Sequence, residues 1–125
     1  MPFMSNSLLS DSPITAYTCH FNLSEAEYVL CRLLGRTLAR SKVDNLVRSN
    51  YITLTDAERL YAKAAEIKSG RAIALGDCYT IANAKVTSST ALFAFQEEEL
   101  NREIERKPFD VQIKFLEGLP RLGSP

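Results

Sequence analysis

The chain has 125 residues, 46% apolar and 24% charged, a composition that fits one soluble globular domain. Lys and Arg total 15 and Asp and Glu total 15, so no global field draws nucleic acid or a membrane surface, and any such contact must come from a local patch. The three cysteines, Cys19, Cys31 and Cys78, lack CxxC spacing and are odd in number, which argues against a disulfide framework and a structural zinc site; they read as buried thiols in a reducing cytoplasm.

No apolar run reaches transmembrane length, and Met1-Pro2-Phe3-Met4-Ser5-Asn6 has no basic or apolar leader pattern. No membrane partner is therefore expected. Residues 1–12 are weakly patterned; Ser7-Leu8-Leu9-Ser10 reads as a last helical turn, stopped near Asp11-Ser12-Pro13. Ile14 to Cys19 is β-branched and aromatic, and predicts a strand. Asn22-Leu23-Ser24-Glu25 has the form of a capping box, with Asn22 at the N-cap. The helix that follows carries Val29, Leu30, Leu33 and Leu34 on one side, and Gly35 ends or kinks it. A second helix is predicted from Thr37 to Arg48, with Leu38, Val43, Leu46 and Val47 inward.

Tyr51 to Leu54 predicts a second strand, and Thr55-Asp56-Ala57-Glu58 a second capping box. Leu60, Ala64, Ala65 and Ile67 mark the helix it opens, closed by Ser69-Gly70. Gly76 then turns the chain into another helix, with Asp77 as its N-cap and Ala82 and Ala84 on a small-residue face suited to lie close on a sheet. Thr90 to Phe95 predicts a sheet-interior strand, Gln96 to Arg106 a charged helix stopped by Pro108, and Val111 to Phe115 the last strand. Residues 118–125 read as a tail. Strands alternating with helices predict an α/β fold with a mainly parallel sheet, whose ligands gather outside the carboxyl ends of the strands.

Three acidic helix starts, at Glu25, Asp77 and Glu97, could meet at that edge. Carboxylates brought together there suit a hard divalent cation. Each also has a plainer reading: Glu25 closing a capping box, Asp77 capping a helix, and Glu97-Glu98-Glu99 forming a solvated acidic turn. His20 is the single histidine and reads as a surface or capping residue, because no nucleophile is paired with it in the sequence. Arg32, Arg36, Arg40, Lys42 and Arg48 read as a solvated helix face, or as a phosphate-contacting rim beside the acids. No Gly-rich phosphate loop is present.

The segment Leu75-Gly76-Asp77-Cys78-Tyr79-Thr80-Ile81-Ala82-Asn83-Ala84-Lys85 resembles the helix that carries the third motif of PIN domains. Asn22-Leu23-Ser24-Glu25-Ala26-Glu27-Tyr28-Val29-Leu30-Cys31-Arg32 resembles their second motif. Ala91-Leu92-Phe93-Ala94 followed by Glu97-Glu98-Glu99-Leu100 resembles the strand and acidic cluster after it, and Val111 to Phe115 the final strand. The resemblance runs from Ile14 to Glu117. It implies a single PIN-like domain over 1–125, a three-layer α/β/α fold, and an Mg²⁺- or Mn²⁺-dependent ribonuclease, many relatives being VapC-like toxins of toxin–antitoxin pairs. The implied acids are Glu25, Asp77 and Glu97, with Glu99 competing for the last place. The implied partners are RNA, an antitoxin protein and a second copy of the chain, in the cytoplasm.

The family's first motif, an aspartate ending a central first strand, has no counterpart here. Asp11 lies too close ahead of Glu25 for a helix and another strand to fit between them, so it is not counted as catalytic. Residues 1–12 read as the remnant of the helix after that strand, and the domain as N-terminally truncated or degenerate. The strands that would flank the absent one are expected to keep an unpaired edge.

Overall fold

The computed structural model describes residues 15–118; the lead at 1–12, with Asp11, and the tail beyond 118 lie outside the described residues. The elements run β1 (Ala16–Thr18), α1 (His20–Leu34), α2 (Arg36–Arg48), β2 (Ile52–Leu54), α3 (Ala57–Gly70), α4 (Leu75–Thr87), β3 (Ala91–Phe93), α5 (Glu98–Arg106) and β4 (Ile113–Phe115), followed by a 3-10 turn at Leu116–Gly118. This is a helix-rich α/β fold with short parallel strands, in keeping with a three-layer α/β/α arrangement.

The strands form two parallel pairs. Ala16, Tyr17 and Thr18 face Ile52, Thr53 and Leu54, and the ladder continues as the Thr55 N–H donates to the Thr18 carbonyl at 2.9 Å. Ala91, Leu92 and Phe93 face Ile113, Lys114 and Phe115, and the Phe93 and Phe115 rings lie 6.1 Å apart. Among the described residues β1 and β3 are each bonded along a single edge. Helix α4 touches both of these strands as well as α1 and α3, so it bridges the two pairs.

That bridging role follows from composition. Gly76, Cys78, Ile81, Ala82, Asn83 and Ala84 of α4 are all buried, and the small side chains let its backbone sit close to the strands. Against them pack Leu60 and Ala64 from α3, Leu100 from α5, and Cys19, Ile73 and Ala91. Buried Asn83 is satisfied by Thr55, whose hydroxyl donates to Asn83 Oδ1 at 2.7 Å. That bond takes Thr55 away from the capping box expected of it; Asp56 occupies the N-cap of α3 without a side-chain cap bond.

Other expectations need correction. Helix α1 begins at His20, with Cys19 at its N-cap, so Asn22 and Glu25 lie inside the helix and do not form a capping box. Asp77 is the third residue of α4, and Ala74 is the N-cap. On α2 the buried residues are Ala39 and Val43, while Leu38 and Leu46 are exposed, because the hairpin presents only a narrow stripe to its neighbours. Residues 90–95 are not an interior strand throughout: Ala91 is buried and Leu92 is half-exposed, since only one face of this short strand is covered. Gly35 does end α1, at φ 88°, a backbone region open to glycine. The cysteines are free, with Cys19 and Cys78 buried and Cys31 partly so.

Candidate metal centre

Glu25 and Asp77 meet where α1 crosses the start of α4. The Asn22 amide donates to Glu25 Oε1 at 3.2 Å and to the Gly76 carbonyl at 3.1 Å, tying the two helices together. The Cys19 thiol in turn donates to Asn22 Oδ1 at 3.1 Å, which fixes the amide's orientation. Glycine at residue 76 makes room for this arrangement: a Cβ there would overlap the Glu25 carboxylate, which would have to swing away. The Gly76 carbonyl also accepts the Thr80 hydroxyl at 3.2 Å.

Asp77, half-buried beside them, is the electrostatic centre of the group. Burial pushes its carboxyl up to about 6, and the negative charges of Glu97, Glu25 and Glu99 add to the rise. The Ala74 backbone N–H opposes part of it. A carboxylate so placed is held against three like charges, and a cation is the natural relief.

Glu97 and Glu99 arrive from α5. Glu97 is its N-cap residue and Glu99 lies in its first turn, both exposed. Leu100 anchors the helix in the core. Its far end is clamped by Arg71, which pairs with Glu103 at 3.5 Å, both side chains nearly buried, and lies 3.8 Å over the Phe109 ring. Arg71 also donates to the Lys107 carbonyl, and Arg106 donates to the Gly70 carbonyl at 3.0 Å. The Glu117 carboxylate accepts the Gln96 N–H and secures the loop just before Glu97.

All four acids therefore converge on one electrostatic neighbourhood, with Glu25 packed on α4 and the α5 acids acting on Asp77 through their charge. They do not close further: among the described residues no three His, Cys, Asp or Glu side chains gather tightly enough to hold a metal. Like-charge repulsion reaches over several ångströms, whereas ligation of a hard cation needs oxygens at 2.0–2.6 Å. By chemistry the donor set fits Mg²⁺ or Mn²⁺; by distance the described side chains fall short of a complete shell.

Asn22 is the site residue that sequence reasoning missed. Its spacing matched an N-cap, but the same three-residue offset places it on one helix face with Glu25. His20 is exposed as the first residue of α1, and among the described residues no hydroxyl or thiol hydrogen-bonds to it. Arg32, Arg36, Arg40, Lys42 and Arg48 are exposed. Arg40 is taken up by Glu27 at 3.1 Å and Asp44 at 2.8 Å, and Arg32 lies 5.0 Å over the Tyr28 ring. Among the described residues no helix is long and apolar enough to cross a membrane.

The family model for the PIN domain matches residues 5–111. No curated protein and no solved structure matches the chain.

Proposed function

Because the chain belongs to the PIN domain family, a nuclease fold whose members generally bind RNA and use divalent metals, we propose that it is a metal-dependent endoribonuclease of toxin–antitoxin type. Glu25, Asp77 and Glu97 are the acids assigned to Mg²⁺ or Mn²⁺, with Glu99 the alternative to Glu97. The observation that carries this reading is Asp77, raised to about 6 by burial and by the three acids around it. When bound, such an ion supplies Lewis-acid stabilisation of phosphate charge and a more acidic water. The chain's own residues supply the setting. Asn22 orients the Glu25 carboxylate, Gly76 leaves room for it, and the Arg71 clamp presents the acidic end of α5. The same reading includes an antitoxin partner, a homodimer and action in the cytoplasm.

The test is Mn²⁺-dependent cleavage of mixed single-stranded RNA by the purified chain, beside Asp77→Asn. Cleavage that disappears in the variant supports the assignment. Mn²⁺ binding that is equal in the two proteins overturns it.

A second reading is a non-enzymatic dimerisation or antitoxin-binding module. It is supported by Val29, Leu33, Leu34 and Leu38 standing exposed on the α1–α2 hairpin. It predicts no metal response, and association that weakens when Leu33 or Leu34 is made polar.

A further inference from the structure

One aromatic pair beside the acids is unused by this account. The rings of Phe21 on α1 and Tyr79 on α4 stack at 4.6 Å between centroids, with only 10° between their planes. Phe21 remains 37% exposed, although it is a large apolar side chain in the first turn of its helix.

Its position ties it to the site. Phe21 lies four residues before Glu25, hence on the same face of α1 one turn away, and Tyr79 lies three residues after Gly76, on one face of α4. The stack and the Gly76–Glu25 contact are thus adjacent rungs of one α1–α4 seam. Tyr79 holds one face of the Phe21 ring in a fixed plane.

We infer that Phe21 is a nucleobase-stacking residue, its Tyr79-backed ring receiving a base of RNA while the neighbouring phosphate reaches a cation that the acids would hold. The inference rests on the ribonuclease reading above and adds a residue that would hold its substrate. A ring held in place loses little freedom when a base stacks on it, and every base offers a π-face, so such a platform tolerates many sequences. A base within a duplex is already stacked on its neighbours and cannot be splayed onto the ring, which selects loops and single strands. Packing alone would also bring two aromatic rings together. A packing role and a stacking role part company in what happens when the aromatic ring is replaced by an aliphatic chain.

The chain contains no tryptophan, so Phe21→Trp introduces a single indole reporter at the proposed contact. Binding of a labelled single-stranded hexa-adenylate is measured with Ca²⁺ in place of Mg²⁺ or Mn²⁺, for the wild type, Phe21→Leu, Phe21→Tyr and Phe21→Trp, with a thermal melt of each. The expected result is tight binding by the three aromatic forms, quenching of the indole on saturation, and roughly 5- to 100-fold weaker binding by a folded Phe21→Leu. Phe21→Leu binding as tightly as the wild type, or indole emission unchanged at saturation, overturns the stacking role and leaves the acid site standing. A wild type that binds no RNA overturns the ribonuclease reading and this inference with it. Should Phe21→Leu unfold, the indole signal and the Phe21→Tyr affinity decide.

Discussion

Helices α3 and α4 together bury Leu60, Ala64, Cys78, Ile81, Ala82 and Ala84, whereas the α1–α2 hairpin buries Ala39 and Val43 and nothing from α1. Both units are helical pairs rich in apolar residues. In the first, the apolar side chains meet each other and the strands. In the second, Tyr28, Val29, Leu33, Leu34, Leu38 and Leu46 remain substantially exposed, Leu33 at 73%. The acid site lies across the boundary between them. Asp77 belongs to the tightly packed unit and Glu25 to the loosely packed one. What joins the two acids is a single close approach at Gly76 and the Asn22 amide. A site assembled this way takes its electrostatics from the rigid half and its final geometry from the half that is easier to move. The acids that stay at a distance, Glu97 and Glu99, come from a third element, α5, and act on Asp77 through their charge.

The largest effect should come from the rigid half. Leu60 is fully buried, so Leu60→Ala removes apolar contacts and leaves a cavity, and is expected to cost about 2–5 kcal/mol. Urea unfolding at fixed protein concentration measures it. A cost below about 1 kcal/mol would mean that the α3–α4 unit is no better packed than the hairpin, and the contrast would fall.

The boundary comes next. Gly76→Ala forces the Glu25 carboxylate off α4; because the displaced group is the end of a flexible side chain and alanine suits a helix, global stability is expected to change by no more than about 1 kcal/mol while the α1–α4 contact is lost. Because the strain falls on an exposed-side element, α1 should give way before α4 does. Amide hydrogen exchange would then rise in residues 20–34 while 75–87 stay protected, and Mn²⁺ affinity would fall with it. Protection lost first in α4 would reverse the assignment of the soft side.

Helix positions could be read from the sequence; which side chains bond across the fold, and which faces are covered, could not. Apolar periodicity and glycine placement located each α-helix among the described residues to within a few residues, since Leu60 and Ala64 repeat at helical spacing on α3 and Gly35 and Gly70 lie at helix ends. Acidic residues at helix starts pointed to Asp77, and its neighbourhood of Glu25, Glu97 and Glu99 is present in the charges acting on it. The capping boxes misled. A Ser, Thr, Asn or Asp three residues before an acid looks the same whether it caps its own helix or bonds across the fold, and Thr55 and Asn22 both bond across it, to Asn83 and Gly76. The inward face of the hairpin misled for a related reason: periodicity tells which residues share a side, and says nothing of whether another element covers it. Leu38 and Leu46 share a side and are uncovered.

Asp77 gives a smaller effect with a sign that depends on pH. Its folded carboxyl lies near 6 against an ordinary 3.8, so the fold disfavours the ionised form. Below 3.8 the group is protonated folded or unfolded and no penalty exists; between 3.8 and 6 the penalty grows; above 6 it is complete. Stability contributed at this position therefore falls as pH rises through that window. Asp77→Asn should raise the melting midpoint at pH 7.5 and leave it unchanged near pH 3. Saturating Mn²⁺ should raise the wild-type midpoint at pH 7.5 and that of the variant less. An increment that is the same at both pH values would locate the effect in packing and not in charge.

The smallest expected effect belongs to the exposed face of the hairpin, and it tells whether a second copy of the chain covers that face. Leu33 is the most exposed of the hairpin's large apolar residues, so in a monomer Leu33→Ser loses almost no burial and should change stability by no more than about 0.5 kcal/mol. If a second copy covers this face, Leu33 is buried in the assembly. The same substitution then costs stability that depends on protein concentration, because association and folding are linked by mass action. Sedimentation equilibrium and thermal melts over a hundredfold range of concentration tell these apart. A midpoint independent of concentration in both proteins leaves the hairpin face bare in the isolated chain and removes the dimer reading. A wild-type midpoint that climbs with concentration, and a Leu33→Ser midpoint that does not, would show that the loosely packed half is completed by its own copy. The Glu25 side of the acid site would then be set by assembly and not by the single chain.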